Sequence, residues 1–126
     1  MIIDTSALIA LEKGSERLIE HIKKNYPDEK IALTSAIYAE FIFGFINRNK
    51  TIPSHLSLYD VIAFDRESAM IFAQLRKKIE KIGKPIPIFD LMTASCALRN
   101  NQTIVTYDRH FTQIKDLKVD FISSSS

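Results

Sequence analysis

Apolar residues along this chain fall into two alternating patterns: short continuous runs, and longer segments in which they recur every three or four positions. The runs at 1–4, at 31–34 (IALT), at 61–64 (VIAF), at 103–106 (TIVT) and in KVDFI read as buried strands. A strand covered on both faces needs no polar alternation. Between them lie helical segments. Thr5 or Ser6 caps a first helix that runs through Glu12 and stops at Gly14. Ser15 starts a second, with Leu18, Ile19 and Ile22 on one face, ended by the turn-forming NYPDEK. Ser35 caps a third over 36–47 that is apolar nearly all round, which predicts deep burial or cover by a partner. After the loop KTIPSHLSLYD, Asp65 caps a long helix over 66–82 with Ala69, Phe72, Ala73, Arg76 and Ile79 spaced by threes and fours, closed by Gly83 and Pro85. Asp90 opens the last helix, LMTASCALR, which Asn100 and Asn101 end, and the turn YDRH leads toward the fifth strand.

Strands alternating with helices predict an α/β fold, a three-layer α/β/α sandwich around a parallel five-stranded sheet, because parallel neighbours need long crossover connections. With no internal repeat and no linker, one domain is expected over 1–122, and the serines at 123–126 are expected to be a frayed, disordered tail. In a right-handed βαβ unit each helix starts near the carboxyl edge of the sheet, where open α/β sheets bind ligands. That rule sends four acids to one edge. Asp4 ends the first strand, Asp108 lies two residues past the fourth, Glu40 sits about one and a half turns into the helix after the second, and Asp90 opens the helix leading to the fourth.

Two carboxylates about 4 Å apart repel by roughly 4 kcal/mol at an effective dielectric of about 20, so such a cluster calls for a cation. Taken singly, each of these residues is more often a helix cap or a turn residue; four at one edge argue for a metal site. No Cys-x-x-Cys or His-x-x-x-His spacing offers softer ligands, and all-oxygen coordination favours Mg²⁺ or Mn²⁺ over zinc. A water held by such an ion is a nucleophile suited to phosphodiester hydrolysis.

Composition narrows the setting. The chain has 126 residues, 46% of them hydrophobic and 25% charged, which suits one packed core and excludes a disordered or fibrous chain. Seventeen basic against fifteen acidic residues make it mildly basic, well short of a histone-like charge excess, so charge alone names no partner. The longest apolar stretch, AIYAEFIFGFI, is too short to span a bilayer and contains Glu40; no membrane association is expected. One cysteine, Cys96, has no internal disulfide partner, in keeping with a reducing, cytoplasmic setting.

The motifs DTSALIAL, AEFIFG, PIFDLMTASCAL and IVTYDRHF, in this order and spacing over essentially the whole chain, resemble the PIN domain, and within it the small VapC-type toxin nucleases. The resemblance implies strand order 3-2-1-4-5, metal-dependent endoribonuclease activity, a homodimer, and inhibition by a cognate VapB-type antitoxin. Residue by residue, Asp4, Glu40 and Asp90 match the three central acids of the family and Asp108 its fourth, Asp-or-Asn position. Ser6 matches a hydroxyl residue of the first motif, able to hydrogen-bond a carboxylate or a metal-bound water, with helix capping as the plain alternative. Thr106 matches the threonine before the fourth acid. Many relatives carry an acid just before the phenylalanine of the last motif, where this chain has His110.

Other residues compete for roles. Arg109 is a candidate RNA phosphate contact and His110 a candidate proton donor or phosphate contact, each set against an ordinary loop position. RKKIEKIGK could follow a nucleic-acid backbone, though such a run is usually a solvated helix face. Tyr38, Phe41, Phe43 and Phe45 read as core, with some left for a dimer seam or an antitoxin groove. Cys96, in an apolar helix, reads as core rather than nucleophile. A phosphoryl-aspartate reading of Asp4 fails because DTS lacks the second acid of D-x-D. The expected function is an Mg²⁺- or Mn²⁺-dependent toxin endoribonuclease; the alternatives are a silent PIN-like RNA- or protein-binding module and a processing nuclease outside any toxin system.

Overall fold

The strands are two or three residues long, enough to align chain segments but too short to carry function away from their ends. In the computed structural model, which describes residues 1–123, they run β1 (Ile2–Ile3), β2 (Ala32–Thr34), β3 (Asp60–Ile62), β4 (Ile104–Thr106) and β5 (Val119–Phe121). All pair in parallel in the order β3-β2-β1-β4-β5. Ile2 lies opposite both Ala32 and Ile104. The chain therefore moves outward from β1 through β2 to β3, then crosses back to place β4 on the other side of β1. That reversal opens a crevice at the carboxyl ends of β1 and β4.

The helices are α1 (Thr5–Glu12), α2 (Glu16–Asn25), α3 (Ser35–Asn47), α4 (Arg66–Ile82) and α5 (Ile88–Asn100), with 3₁₀ turns at Ser54–Leu58 and Arg109–Gln113. Ile2, Ile3, Leu33, Ile104 and Val105 of the inner strands are fully buried among Leu8, Leu18, Ile37 and Phe111. Continuous apolar runs therefore mark the inner strands well. The edge strands differ: Asp60 and Val61 of β3 are exposed, since β3 has a neighbour on one side alone. The third strand is also centred earlier than 61–64, because its register pairs Asp60 with Ala32.

Several caps fall one or two residues before the expected positions. Asp4, extended in backbone, accepts from Ala7 N–H and caps α1, while Ser6 Oγ donates to Asp4 instead of capping. Thr34 rather than Ser35 caps α3 through Ile37 N–H, and Thr93 Oγ1 shares that hydroxyl at 2.8 Å. Pro87 precedes α5, so Asp90 lies inside its first turn, where an acid favours the positive helix end. Asp65 caps α4 as expected, and Gly83 ends it in the left-handed region at φ +75°.

The inward stripe of α4 runs through Ser68, Phe72, Leu75 and Ile79, whereas Ala73 and Arg76 face solvent. The exposed run beyond it behaves as a solvated face, with Arg76 paired to Glu80 at 3.2 Å. On α3, Ala36, Ile37 and Phe41 enter the core, but Phe43 stays 62% exposed and Ile46 58%. The all-round apolarity of this helix thus reflects one core face and one open one. Of the expected tail, residues 124–126 lie outside the described residues. Among the described residues no helix is long and apolar enough to cross a membrane.

Candidate metal centre

Asp4 is where the site begins. As the first residue past β1 it is carried to the crevice by a strand whose side chains are wholly buried, and it is itself only 5% exposed. Its carboxylate has about four acceptor sites. Three are taken: Oδ1 receives Ser6 Oγ at 3.2 Å and Ala7 N–H at 3.0 Å, and Oδ2 receives the buried Thr106 hydroxyl. Burial pushes the Asp4 pKa above its ordinary value; the Thr106, Ala7 and Ser6 hydrogen bonds oppose that rise, and the neighbouring Asp108 adds to it.

Thr106, the last residue of β4, joins the two central strands at their ends. Its hydroxyl donates to Asp4 across the β1/β4 pair and accepts from Asp108 N–H at 2.9 Å. One side chain thereby fixes a first acid and positions the backbone of another. Asp108 then leads into the 3₁₀ turn, which brings His110 back over the crevice. His110 Nδ1 lies 3.1 Å from Asp108 Oδ1, and Nε2 lies 2.7 Å from Asp90 Oδ2. Nε2 is buried yet has no aligned hydrogen-bond partner, so its approach to Asp90 is off the N–H axis.

Asp90 is half-buried in the first turn of α5. Burial raises its pKa; His110 pulls it down, while Glu40 and Asp108 push it up again. Glu40, on α3, receives the hydroxyl of Thr5 at 3.0 Å. The four acids thus form a coupled row, with Asp108 acting on Asp4 and both Glu40 and Asp108 acting on Asp90. The ligand atoms of Asp90, Asp108 and His110 lie within 4.8 Å of one another. Among the described residues, the ion pairs that reach these carboxylates come from His110, none from lysine or arginine.

Two features depart from the sequence reading. The tightest group sets an imidazole beside two of the acids; the turn after β4 folds His110 inward rather than leaving it in a solvent loop. Arg109 remains exposed, with its guanidinium 4.8 Å over the Phe121 ring, a stacking that holds it beside β5. Thr5 was missed as a site residue. Its contact with Glu40 spans 35 positions, and local pattern shows just a helix start. In hindsight the triplet DTS is dense in site groups, since each of its side chains holds or is a carboxylate ligand candidate.

The donor set suits a hard divalent ion. Three acids retain unspent lone pairs, Asp4 retains one, and the ion pairs that reach them among the described residues come from His110. The fold and this edge define a class: an α/β/α sandwich that gathers acids from four separate connections at its topological switch point. The chain belongs to the PIN domain family, whose profile matches residues 1–117. It is similar to Ribonuclease VapC1 of Haemophilus influenzae (strain R2866), 27% identical over 124 residues and 92% of each chain, and to Ribonuclease VapC2 of Rickettsia felis, 26% identical over 123 residues, 91% of this chain and 92% of that one. Among solved structures, VapBC2 from Rickettsia felis bound to a promoter DNA fragment matches with a TM-score of 0.82 at 22% identity, covering 97% of this chain and 98% of that one. FitAcB from Neisseria gonorrhoeae matches with a TM-score of 0.77 at 22% identity, covering 96% of each. These structural likenesses establish the fold.

Proposed function

We propose that this chain is a divalent-metal-dependent endoribonuclease, the toxin of a type II toxin–antitoxin pair. The observation that carries the reading is the row of four acids at the β1/β4 switch point, unneutralised by any lysine or arginine among the described residues. The names of the ribonuclease relatives and the toxin–antitoxin complexes among the structural relatives support it.

Asp4, Glu40, Asp90 and Asp108 would hold Mg²⁺ or Mn²⁺. The bound ion supplies activation of water and neutralisation of charge on the scissile phosphate. The chain supplies position: Thr106 and Ser6 hold the Asp4 carboxylate, Thr5 orients Glu40, and Asp108 is aimed by its own N–H bond to Thr106. Arg109, exposed beside β5, would meet an RNA phosphate. The exposed Phe43, Ile46 and the 44%-exposed Phe89 offer an apolar surface for a second copy or a VapB-type antitoxin.

RNA incubated with the purified protein and Mn²⁺ or Mg²⁺ should be cut internally, and EDTA should stop the reaction. Asp4→Asn should fold normally yet cleave at least about 100-fold more slowly, because several kcal/mol of charge stabilisation depend on the carboxylates. Unimpaired cleavage by Asp4→Asn, or in EDTA, would refute the reading. Expression without an antitoxin should arrest growth; a normally growing host containing soluble protein would remove the toxin assignment.

A further inference from the structure

We infer that His110 is itself a metal ligand, through Nε2, and that the centre is a mixed nitrogen–oxygen site selective for Mn²⁺ over Mg²⁺. This rests on the metal-dependent reading above and refines which ion the site takes. Three observations bear on it. Nε2 is buried, and although Asp90 Oδ2 stands 2.7 Å away, no well-aligned hydrogen bond completes it. A buried imidazole nitrogen left that way carries a desolvation cost unless a ligand completes it.

The spacing is the second. Octahedral ligands at about 2.1 Å from an ion stand about 3.0 Å apart when adjacent and about 4.2 Å when opposite. Nε2 and Asp90 Oδ2 are 2.7 Å apart, and the ligand atoms of Asp90, Asp108 and His110 all lie within 4.8 Å of one another. The first of these is near the separation of adjacent positions around one ion, and the second keeps all three residues within reach of it.

Third, the ring is held from behind. Nδ1 lies 3.1 Å from Asp108 Oδ1, and Phe111, fully buried, packs with its ring centroid 5.0 Å from that of His110. A carboxylate oxygen behind a histidine is the usual outer support of a metal-bound imidazole, fixing its orientation; Asp108 Oδ1 takes that part, which leaves Oδ2 for the ion. Imidazole adds little for Mg²⁺, which prefers oxygen and dehydrates reluctantly, but strengthens binding of Mn²⁺, which lies among the first-row transition ions.

The test is metal binding by the intact protein, free of RNA. Calorimetric titration with MnCl₂ and MgCl₂ on wild type, His110→Ala, His110→Asp and Asp90→Asn reads affinity, and pulsed electron paramagnetic resonance of the Mn²⁺-loaded protein reads ¹⁴N coupling to the ion. Wild type should show nitrogen coupling and bind Mn²⁺ well above Mg²⁺. His110→Ala should lose the coupling and at least about 10-fold in Mn²⁺ affinity, with Mg²⁺ changed less than about 3-fold. His110→Asp should recover binding without nitrogen coupling and narrow the preference between the ions. Unchanged or tighter Mn²⁺ binding by His110→Ala, or no ¹⁴N signal in wild type, overturns the inference while Asp90-dependent binding leaves the metal-dependent reading standing. If wild type binds neither ion, both fall.

Discussion

Thr106→Val removes one oxygen from the centre of the molecule and changes little else. The hydroxyl is fully buried, gives its proton to Asp4 Oδ2 and receives Asp108 N–H at 2.9 Å. Valine fills the same space without either bond. A hydrogen bond to a charged group contributes about 1.5–3 kcal/mol, and the orphaned Asp108 N–H adds about 1 kcal/mol, for a loss of about 3 kcal/mol. Thr106→Ser keeps both bonds and gives up one buried methyl, about 1 kcal/mol. In urea, with a slope of about 1.5 kcal/mol/M, valine should lower the midpoint by about 2 M and serine by less than about 1 M, both with the slope unchanged. The pH dependence supplies a second arm, measured in EDTA. Asp4 is raised above its unfolded value of 3.8 by burial. The stability linked to its proton is complete below that unfolded value and is lost as pH rises through the folded one. Thr106 restrains the rise, so valine makes the loss steeper. The gap between valine and wild type should therefore be smaller near pH 3.5 than at pH 7. A valine variant within about 0.5 kcal/mol of wild type at neutral pH, or one as stable as serine, would show that this hydroxyl does not hold the strand ends together.

Two further perturbations separate charge from packing. Asp4→Asn keeps an oxygen for Ala7 N–H and Ser6 and removes a buried charge, but turns an NH2 group toward the Thr106 hydroxyl; in EDTA its stability relative to wild type should therefore improve as pH rises from about 4 to 7, and a relative stability that worsens over that range would contradict the sign of the Asp4 shift. Cys96 is buried, its thiol pKa is pushed up by burial, and Sγ donates to Ala63 O at 3.7 Å, so Ellman's reagent should react at least about 100-fold more slowly with native than with urea-unfolded protein, and prompt reaction in the native state would place the thiol at the surface.

How much of this was legible in the sequence depended on the range of the interaction. Ile2–Ile3, Ala32–Thr34 and Ile104–Thr106 were readable because inner parallel strands are apolar without interruption, and their alternation with helices was enough for the sandwich. The caps slipped because Asp4 and Thr34 do two jobs, ending a strand and starting a helix, and pattern assigns a residue one job. The α4 stripe was misplaced where Ser68 turns inward and Ala73 outward, a choice made by the neighbouring α5 rather than by polarity. At the centre, topology and the ordered motifs flagged the acids. The Thr5–Glu40 bond and the inward fold of His110 onto Asp90 depend on tertiary contacts between segments far apart in the chain.

The double duty of Asp4 biases how a gene of this kind decays. Alanine there discards a helix cap, about 1 kcal/mol, and strands the Thr106 hydroxyl, so a descendant carrying it pays in folding as well as in activity. Asparagine silences the chemistry but keeps the cap. Descendants that have given up cutting but still bind their partners should therefore keep Asn-Thr-Ser at this corner, an inert shape that preserves the outline of the enzyme it came from.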